Sequence, residues 1–127
     1  MRYLVSICLL VAAVIHLLPV VGVLGGDRLQ SLYGVSIDGP DLQILMRHRA
    51  VLFGLLGGLL IAAAFRPDLR AAALVMGIGS TVSFLVIAWS AGGYNPQLAR
   101  VVYADIAAVL LLVVAAAIEW GATRHFH

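Results

Sequence analysis

A few side chains in this sequence could do chemistry. Arg47, His48 and Arg49 stand in a row inside an otherwise apolar stretch, Asp105 is the only acid well within another, and His16 interrupts a third. A guanidinium recognises carboxylates, phosphates and carbonyls through charge-assisted hydrogen bonds. Held in lipid, each arginine costs about 2.5–3.5 kcal/mol on insertion scales, so partners must exist. Asp105 is the leading counter-ion for Arg47 and Arg49. Two arginines against one aspartate leave excess positive charge, to which Arg100 adds. That excess suits an anionic headgroup, a quinone carbonyl or another acceptor. The bland reading of the same residues is a structural ion pair that fixes helix register. His16 and His48 lie on different segments at comparable depth, an arrangement that could ligate a b-type haem axially. Its alternative is a pair of hydrogen-bonded bundle histidines. Tyr103, two residues from Asp105, reads as a hydrogen-bond donor or an interface anchor.

Composition sets the solvent. The chain has 127 residues, 63% hydrophobic and 11% charged, with a mean hydropathy of +1.07. A soluble domain of this size could not hide so much apolar surface, so lipid is the expected environment. Eight arginines, no lysine and a net charge of +2, scattered along the chain, exclude a nucleic-acid partner. Cys8 is the single cysteine, which rules out an intramolecular disulfide and any cysteine metal site; it reads as a packing residue. His125 and His127 belong to a polar tail, and no metal centre is expected. The chain holds no phosphate-cradling glycine loop, no HExxH, no GxSxG and no glycosidase-like carboxylate pair. These omissions point away from an enzyme.

Four helices must carry these residues: about 3–24, 42–65, 71–90 and 98–120, in one transmembrane domain, 1–127. The first would span about 33 Å, against about 30 Å of hydrocarbon. Its length, His16 and Pro19 argue against a cleaved signal peptide. Gly25–Asp41 is a polar connection in which 29–35 could form a short interfacial helix, and Asp41 is placed to cap the second span. Arg66-Pro67-Asp68-Leu69-Arg70 is a tight loop, with Asp68 as a candidate cap. Ala91–Pro96 is a second loop, and Trp89 and Trp120 are interface anchors. Arg2, Arg66, Arg70 and Arg124 on one side, against Arg28 and Arg100 on the other, place both termini in the cytoplasm by the positive-inside rule.

Helical geometry then assigns faces. Arg47 shares a seam with Gly54-xxx-Gly58, which is expected to point into the bundle, while Arg49 lies about 200° away. Gly79-xxx-Ser83 offers a second small-residue seam. Asp105, Ala108, Leu112, Ala116 and Glu119 form one stripe. Depth puts His16, Arg47–Arg49 and Asp105 in the outer half of the bilayer. Only Glu119 is polar in the inner half, so the molecule is expected to be one-sided.

The order of these features resembles a known group. An apolar helix is followed by Leu32-Tyr33-Gly34-Val35, then by a helix with Arg47-His48-Arg49 and Gly54, then by the Arg66–Arg70 turn. This layout resembles the small four-helix bacterial membrane proteins of the DoxX-like group. The resemblance implies a four-helix bundle in the bacterial inner membrane. It also implies, for some members, a link to quinone-coupled sulfur oxidation or oxidative-stress complexes. The expected function is a multi-pass inner-membrane protein whose His16, Arg47, His48, Arg49 and Asp105 cluster is structural and docks a lipid, a membrane-protein partner or a second copy. A quinone- or haem-binding redox subunit is the alternative. A small transporter or proton-path component ranks below it.

Overall fold

The computed structural model describes residues 2–18, 33–34 and 39–124. Among them the chain forms four α-helices and no strand: α1 Arg2–Leu17, α2 Pro40–Phe65, α3 Arg70–Ala91 and α4 Pro96–Arg124. A short 3-10 turn, Pro67–Leu69, joins α2 to α3. The last three helices are long and apolar enough to cross a membrane; α1 is a shorter apolar helix over its described length. The rest of the expected first span, 19–24, lies outside the described residues, as do most of the interfacial 29–35 segment, His125 and His127.

Two helices begin earlier than hydropathy indicates, and for the same reason. Pro40 and Pro96 are the first residues of α2 and α4. Proline has no N–H to leave unsatisfied in a first turn, and its φ is already helical. Asp41 makes no capping bond; Gly39, at a φ of 86°, is the cap residue, and its carbonyl accepts from the Gln43 N–H. Asp68 likewise caps nothing and instead pairs with exposed Arg66 at 2.9 Å. Asn95 is the working cap of α4. Its Oδ1 accepts from the Leu98 N–H at 2.8 Å.

Contacts at the helix ends fix the running directions. Ser6, near the start of α1, donates to the Ala64 carbonyl near the end of α2. Arg70, at the start of α3, reaches Glu119 near the end of α4. Neighbouring helices therefore run antiparallel.

The centre is a layer of Leu9, Ala12, Ala13, Leu60, Ala63, Leu74, Leu112 and Ala115, all fully buried. Small residues let the helices approach closely where lipid supplies no hydrophobic drive for association. The outward faces carry large apolar side chains, among them Leu45, Leu55, Ile87 and Leu110. Trp89 and Trp120 are also exposed.

The buried seams differ from those expected. In α2 the inward face is Ala50, Gly57, Leu60, Ala63 and Ala64, which leaves Gly58 exposed. In α3 it is Arg70, Ala73, Leu74, Gly77 and Thr81, which leaves Gly79 and Ser83 exposed. On α4 the stripe of Asp105, Ala108, Leu112 and Ala116 is buried, with Glu119 half-buried at its end.

Gly57 is the tightest approach of any helical glycine among the described residues. A Cβ there would lie 2.8 Å from the Leu17 side chain, whereas one at Gly58 would meet nothing within 4 Å. Gly57→Leu is therefore expected to lower stability in detergent by about 1–3 kcal/mol. Gly58→Leu should be neutral or stabilise by up to about 1 kcal/mol through helix propensity. Paired thermal melts would check this, and equal effects would show that α1 does not pack on this face.

Candidate functional site

Arg49, in the third turn of α2, is the centre of one polar cluster. Its Nη1 donates to the Tyr33 hydroxyl at 2.7 Å. Its guanidinium carbon lies 5.2 Å from the Tyr33 ring centroid, 4.7 Å from Phe53 and 5.5 Å from Phe84. Three aromatic faces thus surround one cation, and each desolvated contact of this kind contributes up to about 2 kcal/mol. This is how the protein compensates a charge beneath the ends of the helices. Arginine suits the position because its planar, weakly hydrated group both stacks and donates.

Tyr33 is held from the other side. It is 3% exposed and packs against Met46, Leu98 and Val101. Asn95 Nδ2 donates to its carbonyl at 2.8 Å. One asparagine thus starts α4 and pins the residue that receives Arg49. Burial pushes the Tyr33 phenol above its ordinary pKa, although the nearby Arg49 charge acts the other way. The phenol therefore stays protonated and keeps a donor of its own.

Asp105 is 8% exposed and lies within the electrostatic reach of Arg49 and Tyr33, but among the described residues it forms no ion pair within 4 Å. The direct salt bridge expected between Asp105 and the arginines is thus not formed among them. Tyr33 takes the Arg49 hydrogen bond instead. Arg47 and His48 are exposed, and no described hydrogen bond or ring contact joins them to Arg49 or Tyr33. The seam that was to carry Arg47 inward is not the buried one, because Gly57 rather than Gly58 faces α1. His16 is 2% exposed, and its ring packs 6.0 Å from that of Phe53. The structure thus gathers His16, Arg49 and Asp105 around Tyr33, Phe53 and Phe84.

Among the described residues, Arg49 and Asp105 are the buried or half-buried charged groups of this cluster, and Arg47 and Arg100 are exposed. Arg49 borders a groove of about 550 Å³ between α2 and α3, lined by Leu52, Phe53, Leu56, Met76, Ser80 and Phe84, among others. That volume is typical of small-molecule sites. Its lining is apolar apart from Arg49 and two serines, Ser80 and Ser83, and the Ser83 hydroxyl is satisfied by the Ser80 carbonyl. Arg49 carries five N–H donors. One of them serves Tyr33, and no other described residue accepts from the rest.

A second polar cluster closes the opposite end, so the polarity is two-sided. Arg70, whose side chain is 7% exposed, donates to Glu119 at 3.2 Å, to the Ser6 hydroxyl at 3.1 Å and to the Ala63 and Ala64 carbonyls at 3.2 and 3.5 Å. The last carbonyls of a helix lack partners within it, and α2 receives them here from a cation that also complements its dipole. Sequence reading counts Arg70 among loop charges. The missed signal is its spacing, four residues past Arg66 and one past the turn, which puts it on the first turn of α3 facing inward.

Arg70→Leu should lower stability by about 2–4 kcal/mol, because it removes the bond to Glu119 and leaves the Ala63 and Ala64 carbonyls without their donor. Asp105→Asn should cost less, since no protein hydrogen bond is lost. Detergent melts would rank the two, and the reverse order would contradict this account. Tyr33→Phe is expected to cost about 1 kcal/mol. Combined with Arg49→Gln it should be less than additive, and strict additivity would argue against the 2.7 Å contact. No protein-family model, curated protein or solved structure matches the chain, so the functional reading rests on this geometry.

Proposed function

We propose that this is a multi-pass protein of the bacterial inner membrane, DoxX-like in layout, with both termini cytoplasmic. Its Arg49 cluster holds the outer end of the bundle together and also presents hydrogen-bond donors to a lipid-dissolved amphiphile lying in the α2–α3 groove. The carrying observation is the coincidence of unspent guanidinium donors with an apolar trough of small-molecule size. From Arg49 to Leu59 the trough follows ten residues of α2, about 15 Å at 1.5 Å per residue. One end is polar and the remainder apolar, which matches a headgroup and a tail.

Charge balance narrows the headgroup. Arg49 with Asp105 sums to zero, so a neutral acceptor such as a carbonyl fits better than a second anion. The aromatic rings around the guanidinium favour a flat headgroup, and this keeps a quinone as the specific alternative. Haem fits poorly. His48 is exposed while His16 is buried, and neither lines the groove. A proton path fits poorly as well. Asp105 and Glu119 are fourteen residues apart on α4, about 21 Å, and the layer between them is apolar. Arg2, Arg66 and Arg124 support the orientation, although Arg70 belongs to the bundle rather than to the loop.

Extraction of purified protein with organic solvent, followed by mass spectrometry, tests the reading. Wild type should release a co-purified amphiphile with a neutral acceptor group. Leu56→Trp, which fills the groove, and Arg49→Gln should each retain about tenfold less, the equivalent of one charge-assisted hydrogen bond or its contact area. Equal retention in all three would remove the groove as a site.

A further inference from the structure

One buried polar atom is left over. Nδ1 of His16 lies 2.8 Å from the Ala12 carbonyl. A carbonyl can only accept, so the proton of this contact is on Nδ1. No carboxylate among the described residues lies within ion-pair distance of His16, so nothing nearby sustains an imidazolium. The neutral ring then carries a bare lone pair at Nε2. That atom is buried and has no hydrogen-bond partner among the described residues. Native structures rarely leave such an atom without a donor.

Its position connects it to the groove. The His16 ring packs on Phe53, and Phe53 is a wall of the groove and also the ring nearest the Arg49 guanidinium. Phe53 thus neighbours both the donor-rich guanidinium and the ring that bears the lone acceptor. A headgroup that carried only a carbonyl would satisfy Arg49 and leave Nε2 bare. A headgroup that turned the Phe53 ring aside and carried a hydroxyl as well would satisfy both.

We propose, building on the groove reading, that the ligand is a hydroxylated aromatic amphiphile: its ring oxygen accepts from Arg49, and a phenol-type O–H donates to His16 Nε2. His16 is then a specificity residue that selects hydroxylated rings over their capped or carbonyl-only analogues. The ring of Phe84 supplies the stacking face, and the tail runs toward Leu59 and Met76.

The experiment compares tritiated para-dodecylphenol with its methyl ether, which keeps the oxygen acceptor and lacks the donor, on protein in nanodiscs. Wild type should bind the phenol about tenfold more tightly, as for one buried hydrogen bond. His16→Phe should bind both probes with the affinity that wild type shows for the ether. His16→Gln, whose amide oxygen can accept, should retain part of the preference, and it serves if the phenylalanine variant does not fold. Arg49→Gln should weaken both probes alike. Equal binding of the two probes to wild type overturns the role of His16 while leaving the groove intact. Failure of both probes to bind overturns the groove reading and this inference together.

Discussion

Two guanidinium groups removed from water, one toward each end of the bundle, set the terms for everything else in this protein. An arginine in lipid is tolerable only if its charge and its donors are answered from within the structure. The two ends answer differently. Arg70 is met by hydrogen-bond acceptors: a carboxylate, a hydroxyl and two helix-end carbonyls. Arg49 is met mostly by π faces, with one hydroxyl and a carboxylate at a distance.

That difference separates a structural cluster from one open to ligand. At Arg70 all three guanidinium nitrogens are engaged, and the four helices are tied through α1, α2 and α4 to the first turn of α3. At Arg49 the rings stabilise the charge without consuming N–H groups. Cation–π contact is electrostatic and leaves the donors pointing outward in the ring plane. A cluster built in this way can hold the bundle and still offer hydrogen bonds to something lying in the groove.

The apolar layer between the clusters has its own consequence. Leucines and alanines close the described centre between the two clusters. The α2–α3 groove runs along the outside of this layer rather than through it, so a bound amphiphile stays in contact with the surrounding hydrocarbon. A ligand held there, as proposed, would exchange laterally with the bilayer without a lid or gate.

By itself the sequence determined the class of object. Hydropathy and length mark out long apolar helices, the proline and glycine positions mark their junctions, and the scarcity of charge singles out His16, Arg47, His48, Arg49 and Asp105 as residues that need a reason. Those signals are local, and they persist whatever the packing. Which side of each helix faces inward was decided only in the tertiary structure. In lipid a helix is apolar all round, so hydrophobic periodicity no longer reports the buried face. Small residues occur on both sides of α2, and only the contact of Gly57 with Leu17 shows which side is closed. The same choice sends Arg47 and His48 outward and Arg49 inward. It turns Arg70 from a loop charge into a buried one, because whether a residue at a helix end meets water or a neighbouring helix depends on how the ends of the other helices are stacked against it.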